Sequence, residues 1–542
     1  MVNATQTSRT GGSSPKLNLA TEPWLPVRYV DGRAAQVSLG ELFTDAEHIE
    51  RLDPTHGVYH ELAMLRLLVA LVHRATQGPA DAPTWQRLAQ DWGTEVAAPV
   101  QAYLRTWQEA FWLVHPTHPF GQLPHGLRVQ VNGGHAASLA LFTPTDQSAW
   151  HLDRADERDR LTLTDAANRL LTVQVYAPSG FIGGVLAGHP GLSGGKTSGK
   201  STSSGSARST YVLGQTLAQT ILLNTLPYTH DETDAPHWEQ PWAAVTDLAG
   251  YAKEDGAGIL PVGRVQWLTA RLRAVTLTVG EDDLVHTVGV SAGDRYDVAS
   301  PALKDIDPFW TWEVSTDKRG VQTATSRRPG GTPAAQLAWR GNALGAPATR
   351  ERTTKKGVEV VQSQPAPVVT WVATLARERR RRGPVRLVTL GIVGERDTAA
   401  ELVTLDTTTL DVAALDDGRT GRRLERFASK ARDLAESSVK LVTDLARDIE
   451  PRSSAQRTAW TEEAWAAVQP VTDRHLHAVA GGAEHDPTLT ALRTDLRRVT
   501  LTQVSHLLEG LAPARIGAAC RPLGIFNARL RDLLTEPTGG DQ

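Results

Sequence analysis

Cysteine and long apolar runs are nearly absent from this sequence, and each absence excludes a class of protein. Cys520 is the single cysteine among 542 residues, so an internal disulfide and a cysteine-rich zinc site are excluded. No run reaches the roughly 18 apolar residues that a transmembrane helix requires. The polar N-terminal stretch, MVNATQTSRTGGSSPK, lacks the apolar core of a signal peptide. We therefore expect a soluble, cytoplasmic protein with no membrane partner.

An excess of either charge is also missing. The chain has 57 lysines and arginines against 60 aspartates and glutamates, which gives a net charge of -3. A basic field over the whole protein is excluded, so any contact with nucleic acid must come from local patches. The length exceeds the size at which single cores stop growing, and two or three domains are expected.

Residues 176–210 form a stretch rich in glycine and serine that holds almost no residues able to build a packed element. We expect a working loop or a disordered segment there. Its glycines permit close approach of the backbone to a ligand, and Lys196, Lys200 and Arg208 supply only positive charge. This combination suits a phosphate-rich partner.

Two enzyme motifs match within this stretch by letter. GGKTSGKS (194–201) fits the P-loop pattern, which requires a buried strand before it and a helix after it. GLSGG (191–195) fits the nucleophile elbow, which requires a sharp strand-to-helix turn. Neither flank supplies these elements, so we interpret both matches as coincidence. A nucleotide-binding protein that uses the P-loop remains the alternative function.

The remaining patterns predict an α+β fold. Residues 1–16 are predicted to be a disordered tail, and residues 17–408 a large mixed α/β domain with a β-rich part after residue 262. Residues 60–74 and 212–227 are predicted to be buried helices. Four segments of helical spacing within 409–542, punctuated by proline and glycine, predict a C-terminal four-helix bundle in which Pro470 kinks the second helix.

Two further features allow a functional and a structural interpretation. His115 and His118 are spaced like a metal pair, but no Cys, Asp or Glu lies close enough in sequence to complete the ligands, so turn histidines are favoured. We expect no metal site and no cofactor. The cationic run ARERRRRGP (376–384) fits a solvated helix end and a phosphate-contacting segment equally well.

Three segments in the same order resemble a known family. They are LNLATEPWLPV (17–27), FWLVHPTHPFGQ (111–122), and APSGFIGG (177–184), the last followed by TYVLGQTLAQTILLNTLP (210–227). They resemble CasA, the large subunit of the type I-E CRISPR surveillance complex called Cascade. With the C-terminal helices, the resemblance covers the chain from about Leu17 to its end.

The resemblance implies a non-catalytic role. Members of this family read the protospacer-adjacent motif on duplex DNA, help to open the duplex for crRNA pairing, and offer a docking surface for the helicase-nuclease. The implied partners are therefore the crRNA-containing Cascade subunits, target double-stranded DNA and that nuclease. A glycine-rich backbone can enter the narrow minor groove, where base readout is degenerate.

The resemblance also implies individual DNA-binding residues. Gly180, Phe181, Gly183 and Gly184 look like the family's glycine loop, and Phe142 resembles an aromatic residue in a loop that contacts the complex and DNA. Lys318 and Arg319 resemble a basic pair attributed to duplex contacts. Where the family often has a glutamine wedge between the strands, this chain has Arg396, Asp397 and Thr398.

Overall fold

Helices and strands are mixed along most of the chain, and four long helices follow them. The computed structural model describes residues 14–53, 58–124, 128–130, 160–176, 180–182, 185–187, 197–199, 207–240, 260–294, 296–297, 300–316, 322–326, 348–354, 357–378, 384–393, 401–411, 418–449, 454–509 and 513–534. The predicted fold class, mixed helix and strand with a helical C-terminal region, is confirmed.

The strands are β1 (Lys16–Asn18), β2 (Leu25–Tyr29), β3 (Ala34–Val37), β4 (Ile49–Leu52), β5 (Trp112–Val114), β6 (Arg128–Gln130), β7 (Gly180–Ile182), β8 (Val185–Ala187), β9 (Thr197–Gly199), β10 (Ser209–Leu213), β11 (Arg273–Val279), β12 (Val285–Ala292), β13 (Trp312–Thr316), β14 (Gln322–Ser326), β15 (Ala348–Thr354), β16 (Gly357–Gln364), β17 (Pro384–Val393) and β18 (Glu401–Asp411). The α-helices are α1 (Leu39–Asp45), α2 (Val58–Thr76), α3 (Ala82–Gln90), α4 (Ala98–Thr106), α5 (Leu163–Tyr176), α6 (Leu217–Asn224), α7 (Arg264–Leu268), α8 (Leu303–Ile306), α9 (Pro367–Arg377), α10 (Gly418–Ile449), α11 (Ser454–Ala480), α12 (His485–Glu509) and α13 (Pro513–Leu534). No helix in the described part of the chain is long and apolar enough to cross a membrane.

The chain divides into two compact units, each built from several segments. The first unit comprises Met1–Ala207, Leu213–Pro308 and Leu390–Thr404, and the second comprises Arg208–Val212, Phe309–Thr389 and Leu405–Gln542. The domain boundaries drawn from the sequence, 1–16, 17–408 and 409–542, stay a prediction.

The first unit opens with a three-stranded antiparallel sheet in the order β3, β2, β4. Gly32 occupies the β2–β3 turn with a φ of +87°, a conformation that glycine adopts without strain. The next helix, α1, begins with a capping box, in which Ser38 Oγ accepts from the Glu41 N–H and the Glu41 carboxylate accepts from the Ser38 N–H. Strands β2 and β3 therefore form a hairpin through the Asp31-Gly32 turn.

Helix α2 lies at the centre of the first unit. All its residues from His60 to His73 are buried, as predicted for a helix that is apolar on every side. Two of them, Glu61 and Arg66, are charged, and Arg66 Nη1 donates to Asp307 Oδ2 at 2.8 Å. The Trp267 indole N–H donates to the same carboxylate oxygen at 2.7 Å, so the carboxylate joins two distant segments in the core.

The second unit contains a four-stranded antiparallel sheet and the four C-terminal helices α10–α13. The strand order of the sheet is β14, β13, β16, β15. Helix α10 packs against each of the other three C-terminal helices. Phe427, Leu492 and Leu496 are among the fully buried side chains of these helices. Pro470 lies inside α11. The kink at Pro470 and the arrangement as a four-helix bundle stay predictions.

Two predictions from local pattern are wrong. The β-rich part was expected to begin at residue 262, but the structure has helix α7 before β11, because the Asp234 carboxylate accepts from the N–H groups of Val265 and Gln266 at 2.9 and 2.8 Å. This cap comes from 31 positions away and leaves no local signal. Residues 212–227 were expected to be one helix, but α6 begins only at Leu217, after strand β10.

Candidate nucleic-acid interface

The glycine-rich stretch contains paired strands. Strand β7 pairs antiparallel with β9, with Gly180 opposite Gly199 and Phe181 opposite Ser198. Strand β8 pairs antiparallel with β6, with Leu186 opposite Val129. The expectation that 176–210 holds almost no packed element is therefore wrong. The strands are paired by main-chain hydrogen bonds, which need no large side chains. The composition of residues 176–210 therefore did not reveal the strand pairs.

Both strand pairs pack on the β11–β12 hairpin of the first unit. Strand β12 contacts β6, β7 and β9, and β11 contacts β6. The hairpin is antiparallel from Arg273 opposite Ala292 to Val279 opposite Val285. Of the strands that flank positions 183 and 184, β7 contacts the hairpin directly, and β8 is held to it through β6.

Helix α5, which leads into the glycine-rich stretch, is fixed to the same hairpin. Gln174 Nε2 donates to the Arg273 carbonyl at 2.8 Å, and the Arg273 N–H donates to Gln174 Oε1 at 2.7 Å. Gln122, from the predicted motif FWLVHPTHPFGQ, accepts from the Leu277 N–H at 3.1 Å through its Oε1. No local pattern predicts the pairing of Gln174 with Arg273, because the two residues are 99 positions apart.

Burial is the largest cause of the lowered pKa of two side chains near the hairpin, Arg273 and His237. Burial lowers the pKa of Arg273 to about 10. The pKa of His237 is lowered to about 3, first by burial and then by the charge of Arg271. His237, Arg271 and Gln174 line a cavity of about 30 Å³. That volume admits only about one or two water molecules, so the cavity is too small for a metabolite.

The predicted DNA-binding residues divide into two groups. Gly180 and Phe181 lie in β7, where the structure describes the backbone. The others lie outside the described residues: Phe142, Gly183, Gly184, Lys318, Arg319, Arg396, Asp397 and Thr398.

Described strands flank most of the second group. Gly183 and Gly184 are the two positions between β7 and β8. Lys318 and Arg319 fall between β13 and β14, which pair antiparallel with Thr316 opposite Gln322. Positions 396–398 fall between β17 and β18, which are neighbours in one sheet. Three of the four predicted contact regions therefore lie in sequence between two consecutive described strands.

Comparison with known proteins decides the family. The family described as CRISPR-associated protein Cse1 matches residues 18–503. The chain belongs to the Cse1 family. CRISPR-associated protein CasA/Cse1 of Thermus thermophilus is 33% identical over 273 residues, which is 49% of this chain and 48% of that protein. The match therefore spans about half the length of that relative.

Solved structures share the fold of this Cse1 family member along nearly its whole length. Thermobifida fusca Cse1 has a TM-score of 0.76 and 26% identity, with 96% of this chain and 98% of that chain covered. A chain of a CRISPR RNA-guided surveillance complex has a TM-score of 0.65 and 17% identity, with 95% of this chain and 100% of that chain covered. At 17% identity the second likeness is one of fold alone.

The P-loop interpretation conflicts with the strands of this Cse1 family member. Thr197–Gly199, in the middle of GGKTSGKS, form β9 and pair with β7. A P-loop curls its N–H groups around a phosphate, whereas successive N–H groups of a strand point in opposite directions. The nucleophile-elbow match at 191–195 lies outside the described residues.

Arg208 was expected to add exposed positive charge to the glycine-rich stretch. This expectation is wrong, because the Arg208 side chain is 5% exposed and its Nη2 lies 3.8 Å from Glu313 Oε1 within the second unit. Lys196 and Lys200 lie outside the described residues.

The two spaced histidines serve a turn. His115 Nδ1 accepts from the backbone N–H groups of Thr117 and His118 at 3.2 and 3.0 Å. Its pKa is lowered, first by burial and then by His118. The turn interpretation is confirmed. In the residues that the structure describes, no group of three or more His, Cys, Asp or Glu side chains is placed to hold a metal ion.

Proposed function

We propose that this chain is the non-catalytic large subunit of a type I-E CRISPR RNA-guided surveillance complex. In that role it recognises the protospacer-adjacent motif on target duplex DNA, aids strand opening and recruits the helicase-nuclease. Its partners are the crRNA-containing Cascade subunits, target DNA and that nuclease. Membership of the Cse1 family over residues 18–503 supports the subunit role, as does a fold shared with a chain of a CRISPR RNA-guided surveillance complex.

The observation that carries motif recognition is the pair of strand ladders around Gly183 and Gly184. Strand β7 ends at Ile182 and β8 begins at Val185, and their ladders both pack on the β11–β12 hairpin. A glycine backbone lacks a Cβ and approaches base edges closely, while scaffolded strands fix where that approach occurs. In this role Gly183 and Gly184 contact the minor groove, where donor and acceptor patterns are degenerate.

The first prediction replaces both glycines by aspartate in the fully assembled complex. Gly183→Asp with Gly184→Asp adds bulk and two negative charges beside phosphates, so we expect affinity for a target with a good adjacent motif to fall about tenfold or more. The control is Gly524→Asp, which adds one negative charge on α13, where a new Cβ meets no atom within 4 Å. Affinity is measured by equilibrium binding to targets with good and poor adjacent motifs.

Lys318→Ala in the same complex is expected to act differently. A lost phosphate contact weakens binding evenly across sequences and reduces the slope of log affinity against log salt by about one. If the double glycine variant assembles normally and still discriminates good from poor motifs as the parent does, these glycines do not read the motif. If it fails to assemble, they serve a structural turn instead.

The second prediction concerns catalysis. We expect no saturable ATP hydrolysis by the isolated chain, and no difference between the parent and Lys200→Ala, because β9 occupies the centre of the P-loop match. Steady-state phosphate release measures this directly. Hydrolysis that depends on Lys200 would contradict the non-catalytic role and restore the nucleotide-binding alternative.

A further inference from the structure

A cluster of cations lies beside the beginning of α12 in the C-terminal helices. Arg423, Arg426 and Lys430 follow one another on α10 at spacings of three and four, which places them on one face of the helix. All three side chains are exposed. Together with residues 484–487 they line a cavity of about 480 Å³, which we call the basic pocket.

A packed aromatic contact holds the two walls of the basic pocket together. Phe427, on α10 between the cations, is fully buried. Its ring meets the ring of His485, the first residue of α12, at 5.7 Å with an angle of 85° between the planes. An edge-to-face pair of this kind has a preferred geometry, so the position of α12 relative to the three cations is fixed.

Positive charge exceeds negative charge in the basic pocket, because three cations are lined up against two carboxylates, Glu484 and Asp486. The Asp486 carboxylate already has a hydrogen-bond partner, because His485 Nδ1 donates to its Oδ1 at 2.5 Å. The pKa of Asp486 is lowered, first by that hydrogen bond, and the charges of Lys430 and Arg423 add to the effect. The positive field of Lys430 and Arg423 therefore extends across the pocket to Asp486.

The three cations are available to a ligand. Neither Arg423, Arg426 nor Lys430 forms an ion pair with any other side chain that the structure describes. Two guanidinium forks and one ammonium supply directed donors and a point charge, the combination that suits phosphate oxygens. The volume of the pocket is that of a small-ligand site and far too small for a duplex.

We propose that the basic pocket binds phosphate groups. The ligand is a free phosphate compound or the backbone of a single strand, since both present the same oxygens. The site is on the C-terminal helices and its ligand is recognised without regard to sequence, so the proposal does not depend on motif recognition by the glycine loop.

The test uses the isolated full-length chain and two probes, pyrophosphate and a ten-nucleotide single-stranded DNA, measured by calorimetry and fluorescence anisotropy. The combined variant Arg423→Ala, Arg426→Ala and Lys430→Ala is expected to weaken binding at least about tenfold. For the oligonucleotide, it should also reduce the salt slope by about two, since each lost contact to a single strand contributes about 0.7. Lys440→Ala is the matched control, because Lys440 is an exposed cation on α10 that does not line the pocket.

A variant of opposite sign separates binding from misfolding. Asp486→Asn removes a negative charge from the pocket and is expected to tighten pyrophosphate binding about threefold, which a damaged fold would not do. Loss of pyrophosphate binding alone in the triple variant identifies a free phosphate compound as the ligand, and loss of oligonucleotide binding alone identifies a strand. Unchanged affinity of the triple variant for both probes would overturn the proposal, whatever the result for motif recognition.

Discussion

The core of the first unit and the C-terminal helices place ion pairs in different surroundings. In the first unit, the side chains of Arg66 and Asp307 are 1% and 0% exposed. In the C-terminal helices, Asp495 accepts from Arg474 and Arg498 at 2.7 and 2.6 Å, but these two arginine side chains are 60% and 69% exposed. The same chemistry thus lies in a medium of low polarity in one region and largely in water in the other.

The two regions therefore depend on different contacts for their stability. A buried charge has lost its hydration and depends entirely on its protein partners, whereas an exposed charge is solvated when its partner leaves. The C-terminal helices are held by an apolar stripe that includes Phe427, Leu492 and Leu496. Their surface ion pairs contribute little to stability. The core around α2 depends on a polar contact between distant segments.

The largest expected effect comes from breaking the buried pair. Asp307→Ala leaves the Arg66 guanidinium in the core without this carboxylate and removes the acceptor of the Trp267 N–H. We expect the free energy of unfolding of the first unit to fall by about 3–5 kcal/mol. The measurement is urea unfolding followed by tryptophan fluorescence. The matched control is Asp305→Ala, an exposed carboxylate two positions away in α8, with an expected loss below about 0.5 kcal/mol. A loss below about 1 kcal/mol for Asp307→Ala would remove the contrast between the two regions.

These two regions also differ in how well the sequence predicts them. The C-terminal helices follow local spacing, and the four helical segments predicted within 409–542 correspond to α10–α13. The contacts that organise the first unit join residues far apart: Arg66 and Asp307 are 241 positions apart, and Gln174 and Arg273 are 99 apart. No window of local pattern contains both partners of such a contact, so the sequence alone could not reveal them.

The candidate interface follows the same division. A short motif sufficed to single out Gly180 and Phe181, because the motif itself is local. The strand ladders on which they lie were missed, since Gly180 pairs with Gly199 through backbone atoms that carry no sequence signal. The turn role of His115 was predicted correctly, because the N–H groups it accepts from are two and three positions away.

An effect of intermediate size on the free energy of unfolding is expected when the pH is lowered, because the buried histidine His237 is neutral in the folded chain. His237 Nδ1 donates to the Thr269 carbonyl at 3.0 Å, and its pKa is lowered to about 3, first by burial. The unfolded chain takes up a proton at this residue below pH about 6.5, whereas the folded chain does not until about pH 3. Stability is therefore full above pH about 6.5 and falls as the pH decreases, by about 1 kcal/mol for each unit.

The test compares the pH dependence of urea unfolding in three proteins. His237→Asn keeps a donor near the Thr269 carbonyl without the titration, so stability of this variant should depend less steeply on pH between about 4 and 6. Some dependence remains, because burial also lowers the pKa of His73. The control, His48→Asn, replaces an exposed histidine and should retain the slope of the parent. A parent and a His237→Asn variant with identical slopes would show that His237 does not resist protonation in the folded core.

The smallest effect on the free energy of unfolding is expected from the exposed ion pairs of Asp495. Asp495→Asn removes the negative charge that pairs with Arg474 and Arg498, whose long side chains are then solvated by water. We expect the free energy of unfolding of the C-terminal helices to fall by less than about 1 kcal/mol, and by less still at high salt, because exposed pairs are screened.

The pKa of Asp495 is lowered, first by its hydrogen bond with His475, so the small contribution is present above pH about 4 and is lost as the pH falls further. Urea unfolding at low and high salt measures both dependences, with the exposed Glu463→Gln on α11 as a control of the same charge change. A loss above about 2 kcal/mol that persists at high salt would mean that Asp495 behaves as a buried charge, and exposure of its partners would then not explain the difference between the two regions.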